Sequence, residues 1–228
     1  MSMFGALKRK LSTLKRISFG DDLSTPRDRR RAIWHAHLFD HAFLRTIWSN
    51  LYEIAPGVWR SNQPSPGRIA RYEKMGIKTI LSLRGDSNVS FNLLERQACE
   101  AHGIKLVTSR KTGARTARRG EDYVHLIDLM DTLEKPFLIH CKSGADRTGM
   151  ASALYLLHSE AASIQDAKKM LSPRFMHFRS LDSGVLDYIL DSYEQDLKTY
   201  GPIPIRDWFL TRYDREKAQQ FKQARTTS

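Results

Sequence analysis

Apolar residues in this chain are grouped in two alternating ways. Three short runs, IKTILSL at 77–83, IKLVT at 104–108 and PFLIH at 136–140, read as strands, the first of them buried. Around them lie stretches with apolar residues at helical spacing. Two of these, 66–75 and 91–102, are closed by Gly76 and Gly103; the others are 121–134, 147–159, 163–171 and 183–198. A shorter strand is expected at Val58–Trp59, followed by turn chemistry at Pro64, Ser65, Pro66 and Gly67. The alternation predicts an α/β domain over residues 51–198: a central four- to five-stranded, mostly parallel sheet flanked by helices.

The flanks read differently. Residues 1–20 place Phe4, Leu7, Leu11 and Leu14 at helical spacing among Lys8, Arg9, Lys10, Lys15 and Arg16, with no acidic residue. Such a helix suits an anionic membrane surface, or docks on the rest of the protein. Pro26 and the Arg29–Arg31 run suggest a break, with a second helix over 32–48, so residues 1–50 form a basic helical extension. Beyond 199, Gly201, Pro202 and Pro204 mark a C-terminal appendage, residues 199–228. His35, His37 and His41 lack the glutamate of a zinc-hydrolase helix, so they are expected on a packed or solvated face and no metal site is predicted.

Composition narrows the classes of function. The 228 residues are 41% hydrophobic and 27% charged, with a formal net charge of +12. That excess favours polyanionic partners: phosphorylated lipids or sugars, acidic membranes or nucleic acid. No aromatic-rich platform accompanies the charge, which sets nucleic acid aside. With only Cys99 and Cys141, neither a disulfide framework nor a cysteine-rich zinc site is expected, and reduced thiols fit the cytoplasm or a membrane surface facing it. No apolar run approaches the roughly 18 residues that span a bilayer, and no hydrophobic stretch follows the N-terminal basic residues as it would in a secretory signal.

The chemistry concentrates in PFLIHCKSGADRTG, residues 136–149. An apolar strand ends at His140, Cys141-Lys-Ser-Gly-Ala-Asp-Arg147 follows, and a helix then begins. Free N–H groups at a helix N-terminus converge on anions and carry the positive end of its dipole. Gly144 lets successive amides turn inward. The planar fork of Arg147 can grip two phosphate oxygens, which lysine does poorly. The same positive field favours a thiolate at Cys141, poised for in-line attack on phosphorus. Thr148 sets a hydroxyl beside it. The expected set is therefore Cys141 and Arg147 for catalysis, with Lys142, Ser143, Gly144, Ala145 and Thr148 binding substrate.

HCKSGADRTG, residues 140–149, resembles the HCxxGxxRTG signature of the cysteine-dependent protein tyrosine phosphatase superfamily, dual-specificity branch. VWRSNQPSP at 58–66 and IKTILSLRG at 77–85 are similar to the opening strand, turn and next strand of bacterial and fungal members. The likeness covers residues 51–198. It implies hydrolysis of phosphate monoesters through a phosphocysteine intermediate, without metal or cofactor.

One expected part is missing. Family members usually draw a general acid from an aspartate on a loop upstream of the cysteine. The corresponding stretch here, residues 105–122, has no acidic residue before Glu121 and Asp122 and is crowded with Lys105, Arg110, Lys111, Arg115, Arg118 and Arg119. Asp146, directly before Arg147, is the first substitute, as in myotubularin-like and Sac-type phosphoinositide phosphatases; Asp122 is the second. The other reading of Asp146 is that it pairs with a nearby cation. Lys142 and the basic stretch suggest a substrate with more than one negative charge, which keeps a phosphoinositide-type headgroup as an alternative to a phosphoprotein. A phosphatase-like module that binds without turnover is a third reading. Cys99 is expected as a buried helical cysteine rather than a redox partner of Cys141.

Overall fold

The structure, a computed structural model, describes residues 22–40 and 42–226. The basic helix expected at 1–20 and His41 lie outside the described residues. The chain divides into two compact units.

The described residues of the first unit, which lie within 22–48, 64–75 and 86–104, form α1 (Pro26–Phe39), α2 (Leu44–Ile47), α3 (Pro66–Lys74) and α4 (Ser90–Ala101). Pro26 opens a helix here instead of breaking one. Thr25 is the N-cap and its hydroxyl accepts from the Asp28 N–H at 3.1 Å. Proline at the first helical position has no N–H to lose and its φ is already helical. The helix expected at 32–48 is therefore displaced toward the N-terminus and split, with the arginine run inside α1. Ala32 and Ala36 pack on Leu94 of α4, and His35 Nδ1 hydrogen-bonds Ser90 Oγ at 2.8 Å. That histidine sits on a packed face.

The second unit comprises residues 49–63, 76–85 and 105 onward. It carries a five-stranded sheet of β1 (Tyr52–Ala55), β2 (Val58–Asn62), β3 (Thr79–Ser82), β4 (Lys105–Thr108) and β5 (Phe137–Cys141), in the order β1-β2-β5-β3-β4. Only the β1–β2 hairpin is antiparallel; the other three pairings are parallel. The expected α/β architecture is thus the observed one, with β1 added. β1 escaped the sequence reading because it is only half-buried and lacks a continuous apolar run. The central strand, β5, is buried along its whole length, as its FLIHC sequence requires.

Helices α5 (Gly120–Asp131), α6 (Asp146–Ser159), α7 (Ile164–Lys168), α8 (Val185–Tyr200), α9 (Ile205–Thr211) and α10 (Arg215–Thr226) complete the unit. Its core joins Leu81, Phe137 and Ile139 of the sheet to Leu126, Met150, Leu154, Ile189 and Trp208. Trp208 belongs to the segment expected to be an appendage, yet it is fully buried, and its indole N–H donates to Asp196 at 2.7 Å. Phe209 stacks on Tyr123, ring centroids 4.6 Å apart. The Gly201–Pro204 break is a turn that brings α9 back onto the core. Glycine and proline mark a change of direction and say nothing of what the chain does next.

Candidate active site

The carboxyl end of β5 runs into the amino end of α6 through residues 141–146. Parallel register sets Cys141 opposite Asn62 of β2, and the sulfur is buried. Gly144 takes φ +74°, and a Cβ there would stand 2.7 Å from the Ser61 carbonyl oxygen and 2.8 Å from the Asn62 nitrogen. Backbone cannot yield at that distance, so the position demands glycine twice over. Gly149 has a separate reason: a Cβ there would lie 2.6 Å from the Met170 carbonyl.

Residues from outside the motif hold the loop. Arg60 of β2, fully buried, donates from Nη2 to the Gly144 carbonyl at 2.5 Å and from Nη1 to the Met170 carbonyl at 2.9 Å. Its guanidinium lies 3.7 Å from the centroid of the Phe175 ring. Burial pulls its pKa down to about 10 while the charges of Cys141 and Tyr52 pull the other way, so it remains cationic at neutral pH. Asn50 donates to the Ser143 carbonyl at 3.4 Å and the Phe175 carbonyl at 3.1 Å. Ser143 Oγ accepts from the Ala145 N–H at 3.3 Å. Sequence reading missed both Arg60 and Asn50; Arg60 lies inside the VWRSNQPSP segment, and an arginine in an otherwise buried strand was the available signal.

Arg147 donates from Nη1 to the Leu83 carbonyl at 2.7 Å, while its Nε, also buried, has no hydrogen-bond partner among the described residues. The buried Thr148 hydroxyl is in the same condition. Buried polar atoms nearly always find partners, and two orphans on adjacent residues of the first turn of α6 point to a ligand.

Asp146 accepts from His177 Nδ1 at 2.8 Å, and His177 Nε2 reaches Asp187 Oδ2 at 2.8 Å. The histidine side chain is 1% exposed. Burial alone would lower its pKa, but the bonds to Asp146 and Asp187 outweigh it and raise the value to about 9. At neutral pH it is an imidazolium clamped between two carboxylates. Nothing in the sequence marked His177, a lone histidine 31 residues from its partner in the loop.

The other candidates fall apart from one another. Asp122 starts α5, paired with Lys111 at 3.2 Å. Of the arginines outside the motif, Arg179 pairs with Asp191 at 2.5 Å, Arg84 donates to Gln63 at 3.0 Å, and Arg174 lies over the Tyr52 ring. Lys142 is half-buried. Burial, then the charges of Glu95 and Glu100, push the Cys99 thiol up to about 12, so it is an inert packing residue of α4. Both cysteines are free. Beside the loop opens a pocket of about 390 Å³, to which Ser143, Ala145, Asp146 and Arg115 contribute. No group of residues that could hold a metal ion occurs among the described residues, and no described helix is long and apolar enough to cross a membrane.

Residues 54–163 match the tyrosine phosphatase family. The dual specificity protein phosphatase TpbA of Pseudomonas aeruginosa strain UCBPP-PA14 is 30% identical over 107 residues, 46% of this chain and 45% of that protein. The chain therefore spans less than half the length of the curated relatives it matches. Among solved structures, P. aeruginosa TpbA superposes with a TM-score of 0.52 at 21% identity, covering 66% of this chain and 96% of that one. Tk-PTP in its active form gives 0.50 at 17% identity, over 64% and 98%. These two likenesses bear on the fold. The family match begins in β1 and runs through β5, the 141–147 loop and α6, so sequence likeness and loop geometry fall on the same stretch. On that footing residues 54–163 are similar to the tyrosine phosphatase family, and the stretch aligned with TpbA resembles a dual specificity protein phosphatase.

Proposed function

We propose that the chain is a phosphomonoester hydrolase that works through a phosphocysteine intermediate, with phosphotyrosyl protein as its substrate class. The observation that carries this is the pair of orphaned donors, Arg147 Nε and the Thr148 hydroxyl, beside a buried Cys141. Pinning Nη1 to the Leu83 carbonyl fixes the guanidinium plane and leaves the Nε edge for phosphoryl oxygens. The loop amides and the α6 N-terminus supply the rest of the anion site. Arg60 contributes indirectly: by engaging the Gly144 carbonyl it keeps that oxygen from competing for the site.

In the first step the Cys141 thiolate attacks phosphorus, an S–P bond forms and the ester P–O bond breaks, releasing the alcohol oxygen with its electron pair. In the second, water attacks the same phosphorus, the S–P bond breaks, and phosphate leaves with the thiolate restored. The Thr148 hydroxyl, in the first turn of α6, assists this second departure. Asp146 was the leading candidate to protonate the leaving oxygen. Its carboxyl is instead engaged by the buried His177 at 2.8 Å, so we assign it to anchoring the loop. A leaving phenolate needs no general acid as strongly as an alkoxide does, which favours phosphotyrosine over alkyl phosphates. The binding-module alternative is disfavoured by the intact Cys141, Arg147 and Thr148.

The test is hydrolysis of an aryl phosphate in the presence of EDTA. Wild type turns over and Cys141→Ser does not; an active Cys141→Ser protein refutes the proposal.

A further inference from the structure

Burial is inverted where α1 gives way to α2. The charged pair is inside: Arg45 and Asp40 are buried, their side chains meet at 2.7 Å, and Arg45 Nη1 donates to the Asp40 carbonyl at 2.8 Å. The large apolar side chains of the same stretch are outside, with Trp34 65%, Leu38 60% and Ile47 90% exposed. A soluble unit ordinarily hides such groups and exposes its charges. Clustered apolar groups at a surface mark a site of interaction.

The spacing along α1 shows how the face is built. Ala32 and Ala36 pack on Leu94 of α4. Trp34 and Leu38, each two positions further on, point about 200° away from that contact. Arg27 and Arg30, seven and four positions before Trp34, share its side of the helix and are exposed. The one acidic residue of α1, Asp28, is engaged by the Thr25 hydroxyl and by Arg31 at 3.7 Å. The outer face of α1 thus runs from arginines at its amino end to Trp34 and Leu38 at its carboxyl end. Ile47 adds an apolar group just beyond, on the α2 turn that the Arg45–Asp40 pair ties to the end of α1.

We infer that this face of the helical unit binds the surface of an anionic lipid bilayer. Bilayer interfaces favour aromatic and aliphatic groups beside cations on one side of a helix. Charge selects an anionic surface. Residues 1–50 hold ten Lys and Arg against four Asp, half of the chain's net +12, and residues 1–20, which precede α1, contain no acidic residue. A folded protein partner is disfavoured, because these few side chains fall well short of the roughly 1,200 Å² that a stable protein interface buries. A two-fold contact of the face with itself offers its arginines no carboxylate. The inference is independent of the chemistry at Cys141 and concerns where the protein acts.

The experiment is co-sedimentation of the full chain with vesicles of phosphatidylcholine alone and of an equal mixture with phosphatidylglycerol. Wild type sediments with the mixed vesicles and stays in solution with phosphatidylcholine. The Trp34→Ser, Ile47→Ser double variant partitions into mixed vesicles about ten-fold more weakly, and Arg27→Gln, Arg30→Gln loses about as much. Both double variants keep the wild-type urea midpoint, which reports an intact fold whether or not the chain turns over phosphate. Wild type binding both vesicle types alike, or neither, overturns the inference. Undiminished binding by the Trp34, Ile47 variant overturns it too, by assigning the contact to another segment such as residues 1–20. So does a wild-type dimer in sedimentation velocity that this variant makes monomeric, which would give the face to a second copy of the chain.

Discussion

Replacing His177 with glutamine probes the clamp that ties the 141–147 loop to α8. The imidazole is 1% exposed and each of its nitrogens lies 2.8 Å from a carboxylate oxygen, one on Asp146 and one on Asp187. Its pKa rises from 6.5 to about 9 because the two carboxylates outweigh the cost of burial. A difference of that size corresponds to about 3 kcal/mol of folding free energy. The sign follows from the direction: a group whose folded pKa is raised stabilises fully below its unfolded value and loses that contribution as pH rises through the folded value. Stability from this clamp is therefore complete below about pH 6.5 and gone above about pH 9. Glutamine carries no titrating charge and reaches only one of the two carboxylates. Urea unfolding of both proteins at a series of pH values should show the wild-type advantage shrinking by about 3 kcal/mol between pH 6 and 9.5. Taking the difference between the two proteins cancels the other titrating groups. If the two stability curves run parallel across that range, the imidazolium clamp is not formed and the assignment of Asp146 to it falls as well.

Further outcomes follow from the same contacts. Gly144→Ala should fold less stably and lose aryl phosphatase activity, because its Cβ meets the backbone of Ser61 and Asn62 below 3 Å at a positive φ; an active variant would show that the loop relaxes. Arg60→Met removes the donors to the Gly144 and Met170 carbonyls and should cost about 2–4 kcal/mol in denaturant unfolding, with activity falling further than stability explains. Trp208→Ala should cost about 3–5 kcal/mol, whereas a true appendage would show almost nothing. Asp146→Asn should lower turnover of aryl phosphates only several-fold, without removing a limb of the pH–rate profile; a loss of about a hundred-fold or more on esters with poor leaving groups would restore the general-acid role.

The parts of this molecule that were legible in advance are those whose physics is local. Strand β5, the loop after it and helix α6 are contiguous. The apolar run, the cysteine, Gly144 and Arg147 each have a reason to stand where they do that needs no knowledge of distant residues. The alternation of buried strands with amphipathic helices likewise implied a parallel sheet before any coordinates. Within the α/β part element ends moved by up to three residues, and Pro26 proved to start a helix because Thr25 caps it.

What supports the loop was hidden for the opposite reason. Arg60 reaches a carbonyl 84 residues away, and His177 reaches Asp146 across 31. A lone arginine in a strand or histidine in a loop has the same local signature whether it lies in solvent or in a buried clamp. Trp208 looked like part of a tail because Gly201 and Pro204 interrupt the helical pattern, although the chain turns there and returns to the core. Residue order thus determined which groups sit side by side at the end of β5, since neighbours along the backbone cannot separate. Only the tertiary structure decided which distant donors close on that loop, because partners for buried polar atoms are chosen by packing geometry and not by sequence position.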